Sequence, residues 1–294
     1  MWVVGLGLAG LAHAGQTYVL QPSYPDGRVV LSTFETETAS TGAAGNQTSR
    51  QKTVSRQQVK GLPDGGAALT VTIQEIDVES ADPSSVVIGA LADHTYTVEM
   101  GPDGSVRDVE GMDQAIRAAL GTLDDTLATP EMTEALLASL GDEAMAKNMG
   151  STSQALPTGP VAVGDVWAAE AAMLLPMGMS MGLDYECRLE NVVGTLATVR
   201  CDVDGDLEMD PTEMMAQMGK LVPGVDLSSA DAALAASKMQ ELFTLERASG
   251  TQNLVFDLNS GLVIADRGEM TTVLVIQGMK MVSISKTSLK NTIL

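Results

Sequence analysis

The stretch Val199-Arg200-Cys201-Asp202-Val203-Asp204-Gly205-Asp206-Leu207-Glu208-Met209-Asp210-Pro211-Thr212-Glu213 has two readings, and the choice between them sets the fold. From Asp202 to Glu213 it resembles the twelve-residue calcium loop of helix-loop-helix sensors. Carboxylates stand at most of the liganding positions, and calcium takes six to eight oxygens. Leu207, however, occupies the place where the sharp turn of such a loop takes Gly, and no helix precedes it. As a strand, the same residues alternate cleanly. Val199, Cys201, Val203, Leu207 and Met209 fall on one face, and Arg200, Asp202, Asp204, Asp206 and Glu208 on the other. Period two is the signature of a sheet with one buried face. Asp210, Pro211 and Glu213 then read as a helix start, with cap, first-position Pro and capping box. The strand is the better account. Ca2+ held by Asp202, Asp204, Asp206 and Glu213 is the alternative.

The same logic extends outward. Cys187 and Cys201 are the only cysteines, and they lie equally far from Gly194, at the centre of a turn between two strands. That spacing predicts a cross-strand disulfide. Further strands are expected over 18–21, 28–38, 51–59, 67–79, 95–100, 105–109, 166–174, 183–192, 253–258, 262–267, 270–276 and 280–288. Gly101-Pro102-Asp103-Gly104 and Asn259-Ser260-Gly261 supply hairpin turns. Met112, Ile116, Leu120, Leu123 and Leu127 share one helical face. Thr129-Pro130 starts a second helix carrying Met132, Leu136, Leu137 and Leu140. Two more helices are expected, one from Asp210 and one over 229–243. The fold class is α+β: a curved, mainly antiparallel sheet with a few covering helices. The polar, Pro-rich stretch 154–160 divides residues 15–155 from 156–294. These are either duplicated halves, two unrelated ones, or one continuous domain.

Composition narrows the function. The net charge of −21, from 38 Asp plus Glu against 17 Lys plus Arg, repels nucleic-acid backbones and anionic membranes. Aromatics are 3% of the chain against 18 Met, so the core is aliphatic with Met as filler. Trp2 to Leu11 is apolar and Ala12-His13-Ala14 follows, a signal-peptide pattern over 1–14 that lacks a basic start. Export to the periplasm or beyond suits the disulfide. No other run is long and apolar enough to be transmembrane.

Enzyme motifs do not hold up. Gly178-Met179-Ser180-Met181-Gly182 spells the hydrolase elbow, but a strand follows the Ser and both histidines, His13 and His94, lie upstream. Met177, Met179 and Met181 on one strand face would suit Cu(I), but core filling explains them better. His94 has no partner in the pattern, and the sequon at Asn46 matters only in a glycosylating host. A non-enzymatic protein is expected.

Pro160-Val161-Ala162-Val163-Gly164-Asp165-Val166-Trp167 resembles the start of the second half in a family of exported bacterial proteins of unknown function. Their shape is similar to the half-barrel of periplasmic lipoprotein carriers. The resemblance implies an apolar cavity between sheet and helices for a lipid or other apolar ligand. Met132, Leu136, Leu140, Met214 and Met218 would line that cavity in a binding or carrier protein, or form a closed core in a purely structural envelope component.

Overall fold

The computed structural model describes residues 15–42, 45–80, 84–123, 129–175, 179–209, 243–276 and 278–294. Met214, Met218, Glu213, Leu127, Met177, the signal-peptide segment and the two helices expected after residue 209 lie outside them.

Thirteen strands and four helices are described. The first run holds Thr17–Tyr18 (β1), Val29–Gly42 (β2), Gly45–Gly61 (β3), Ala67–Glu79 (β4), Thr95–Met100 (β5) and Val106–Glu110 (β6), with Ser84–Gly89 (α1) before β5. Met112–Leu120 (α2), Pro130–Leu140 (α3) and Asp142–Gln154 (α4) follow. The second run is Val161–Ala162 (β7), Val166–Leu175 (β8), Met179–Val193 (β9), Leu196–Met209 (β10), Phe243–Asp257 (β11), Leu262–Ile276 (β12) and Met279–Ile293 (β13). β1 pairs with β7. All other strands form one antiparallel sheet of eleven, ordered β6-β5-β4-β3-β2-β13-β12-β11-β10-β9-β8. The two runs join where β13 lies against β2.

The decisive stretch is a strand through Met209. Ala197, Val199, Cys201 and Val203 are buried, and Arg200, Asp202, Asp204 and Asp206 are exposed. Cys201 stands directly opposite Cys187, and the two form a disulfide. Gly194 turns the β9–β10 hairpin at φ 62°, the left-handed region that Gly enters without steric penalty.

Three apolar clusters sit on one face of the sheet. One joins β8–β11 with Leu20, Ala155 and Leu156. A second packs α1, α2 and Leu136 of α3 over Ile73. The third lies on β3–β6 under Met145, Ala146 and Met149 of α4. In α2, Met112, Ala115, Ile116, Ala119 and Leu120 are buried, a three-and-four spacing that gives one inward stripe. Thr129 caps α3 by accepting from the Met132 N–H at 3.2 Å. The starts of α2 and α4 cap each other: Asp142 accepts from the Met112 N–H at 2.7 Å, and Asp113 from the Asp142 N–H at 2.9 Å.

The curvature follows from α4. β6 and β8 are the two edges of the sheet, and α4 packs against both. Laid flat, eleven strands would span roughly 48 Å. A helix of 13 residues is only about 20 Å long. The sheet must therefore roll toward α4, so the face bearing the clusters is concave. It remains unclosed, with α4 across the gap between its edges.

Several expectations change. The segment 262–276 is one strand, not two, because the backbone passes extended through Gly268. The first strand is only Thr17–Tyr18, and the first long helix ends at Leu120. β3 runs 17 residues, well beyond 51–59.

Candidate functional site

Residues directly opposite one another in adjacent strands project to the same side of a sheet, so the register assigns every position to a face. One row runs Val199, Leu254, Asp266, Leu289, Phe34, Thr53, Ile76. Its first two residues lie in the first apolar cluster, and Ile76 packs against the second. Asp266, Leu289, Phe34 and Thr53 therefore face the concave side between closed cores.

The neighbouring rows are unlike ordinary core. They hold Thr36, Thr287 and Gln51, then Thr38, Ser285 and Ser49, then Ser40, Ser283 and Gln47. Over β3, β2, β13 and β12 the described concave positions carry a single ionisable side chain, Asp266. The convex positions of the same strands carry the charges. One row there reads Glu269, Lys286, Glu37, Arg50, Glu79, alternating in sign across five strands. Arg50 pairs with Glu37 at 3.3 Å and Lys286 with Glu269 at 3.8 Å.

The concave side chains are tied in the plane of the sheet. Thr38 and Ser285 hydroxyls meet at 3.3 Å, and Ser40 donates to Ser283 at 3.2 Å. Gln57 donates to Ser32 at 2.9 Å, Ser32 donates to Asn291, and Asn291 donates to the Val263 carbonyl at 2.8 Å. Apolar groups stand among them. Phe34 is 39% exposed, a high value for one of the chain's three Phe, and Leu289, Met270, Met281 and Leu274 are half-buried. The face is an uncharged, amphipathic trough.

Asp266 is the exception within it. Gln252 donates to its Oδ2 at 2.7 Å, while Oδ1 is buried without a hydrogen-bond partner. Burial pushes its carboxyl up to about 6 against the pull of the Gln252 bond. Burial, then the charge of Asp266, raises the Tyr185 phenol.

A second concavity, of about 590 Å³, opens at the seam between the sheet edges. Leu20, Pro22, Asp103, Leu156, Trp167 and Glu170 are among its walls, so it lies between the β5–β6 turn and β8. The Trp167 indole N–H donates to the Ala155 carbonyl at 3.0 Å.

Three of the residues expected to line a cavity are described. Leu136 is a buried member of the second cluster, with Met132 and Leu140 packed against it. None of the three is among the walls of the seam cleft. Asp202, Asp204 and Asp206 are exposed on β10, and no group of three His, Cys, Asp or Glu that could hold a metal occurs among the described residues. Ser180 is a strand residue opposite Glu208. The His94 ring meets the Ala92 carbonyl at 3.1 Å. No described helix is long and apolar enough to cross a membrane. The trough went unforeseen because inward Ser, Thr and Gln give no hydrophobic alternation. A signal did exist: every Lys and Arg over 45–61, at 50, 52, 56 and 60, is even-numbered, with neutral residues between.

Comparison with solved structures finds a structure of lipovitellin concerned with its lipid–protein interactions, at TM-score 0.49 and 10% identity. The match covers 92% of this chain but only 25% of that one, so this chain spans about a quarter of that protein's length. DynF of the dynemicin biosynthesis pathway of Micromonospora chersina matches at TM-score 0.22 and 10% identity, covering 99% of this chain and 92% of that one. An outer membrane channel of Pseudomonas putida F1 matches at TM-score 0.22 and 10% identity, covering 92% and 98%. No curated protein matches the chain. Residues 67–263, from β4 through the start of β12, match a family described as a family of unknown function, and the chain belongs to that family, DUF6263.

Proposed function

We propose that the protein is an exported, non-enzymatic binding or carrier protein that holds an apolar-bodied ligand against the concave face of its sheet. The observation that carries this is the separation of charge between the two faces of β3, β2, β13 and β12. A face meant only for bulk water has no reason to lose its charges and keep an exposed Phe. A face that covers a ligand has both reasons, because an unpaired charge under a ligand is expensive. The apolar residues of the described helices support the reading from the other side: those that are buried pack into the second and third clusters and not onto the Phe34 row. The disulfide suits an oxidising compartment.

Native mass spectrometry of protein purified from its own host tests the reading. Added mass is expected on the wild type. Phe34→Asp should remove it, and Ile284→Asp, on the exposed convex side of β13, should retain it. A bare wild-type mass, or equal loss in both variants, would overturn it.

A further inference from the structure

We propose that the ligand of this face is an uncharged amphiphile: a hydrocarbon chain bearing a neutral, hydroxyl-rich head. The inference rests on the binding role argued above and adds the chemical class. Three observations lead to it. First, the described concave positions of β3, β2, β13 and β12 hold no Lys or Arg to pair an anionic head. The net charge of −21 also works against an anion at long range. Second, the described concave positions of these strands offer a cation no accessible carboxylate. Its one acid, Asp266, has Oδ2 bonded to Gln252 and Oδ1 buried. A charged head of either sign would lose hydration without gaining a partner. Third, the side chains that are present suit the remaining class. Thr36, Thr287 and Gln51 both donate and accept, as hydroxyl groups of a neutral head require. Phe34 and Leu289, in the adjacent row, give a chain its apolar bed.

Isothermal titration of the full chain with three single-chain probes of equal tail length separates the classes: dodecyl maltoside, dodecanoate and dodecyltrimethylammonium. The neutral probe is expected to bind at least about tenfold more tightly than either ion. Phe34→Asp should abolish that binding, and Ile284→Asp should leave it intact. Placing a cation in the trough by Thr36→Lys should strengthen dodecanoate binding about tenfold or more relative to wild type. If either ion binds wild type as tightly as the maltoside, with the same dependence on Phe34, the class is wrong and the binding face stands. If none of the three binds, or binding is indifferent to Phe34, the face itself is wrong and the class falls with it.

Discussion

At the residue scale, Asp266 is where sequence and environment disagree most. It stands opposite Leu254 and Leu289, with one carboxyl oxygen unpartnered. Its carboxyl is raised from an ordinary value near 3.8 to about 6. The folded state therefore binds the proton more tightly than the unfolded chain does. The stabilisation from the neutral acid is complete below pH ~4 and is lost as pH rises through about 6. Asp266→Asn removes the titration while keeping the shape. It is expected to stabilise the protein above pH 6 by up to about 3 kcal/mol, with the gain fading toward pH 4. Urea midpoints at pH 4, 6 and 8 check this, and a gain that is flat with pH would refute it. Nothing in the sequence around Asp266 announces the burial, since it falls at the end of the strand expected over 262–267, beside Arg267 and just before Gly268. The pairing Cys187–Cys201, by contrast, was legible, because the count of two and the symmetry about Gly194 left one geometry.

At the scale of elements, strands with one apolar and one polar face were legible to their ends, and those with two polar faces only in part. β4 and β5 match their expected bounds because Leu69, Val71 and Ile73 alternate with Thr. β3 is polar on both faces, so its register needs another source. The convex row Glu269, Lys286, Glu37, Arg50, Glu79 supplies one, since a slip of one residue would misplace every charge. Arg50→Glu puts like charges directly opposite Glu37 and Glu79. It should lower the Tm, and salt at about 1 M should narrow the difference from wild type. Exposure keeps the effect small, and a salt-independent loss would point to some other cause. β10 invites a second measurement. On a strand, Asp202, Asp204 and Asp206 stand roughly 7 Å apart in a line, too extended to wrap an ion. Millimolar calcium is expected to leave the Tm unchanged, whereas a rise would revive the calcium-loop alternative. Helices α1 and α4 escaped the sequence for a different reason. The first has only six residues, and α4 mixes Ala144, Met145 and Met149 with Lys147, Asn148, Gly150 and Ser151, which blurs the apolar stripe.

At the scale of the molecule, two contacts make the architecture, and neither is local in sequence. β2 and β13 meet although more than two hundred residues separate them, and α4 spans two sheet edges that lie at opposite ends of the strand order. Periodicity identifies strands but not which strands become neighbours, so the order of the sheet was not legible even where its members were. The consequence is thermodynamic. The apolar clusters on either side of the trough are linked by continuous hydrogen-bonded strands through β13 and β2, and again by α4 and the segment after it. Unfolding one side would strip partners from the other. Urea unfolding is therefore expected to be one transition, with Trp167 emission and far-ultraviolet dichroism superimposing. Trp2→Phe leaves Trp167 as the only indole for this measurement. Ala144, 3% exposed on α4, allows a sharper version. Ala144→Glu buries an unpaired charge on the helix that bridges both edges. It should shift both signals to lower urea together. If Trp167 on β8 kept its wild-type midpoint while the dichroism split into two steps, the sheet would be two independent units, and a trough running between their cores would have no fixed shape with which to select a ligand.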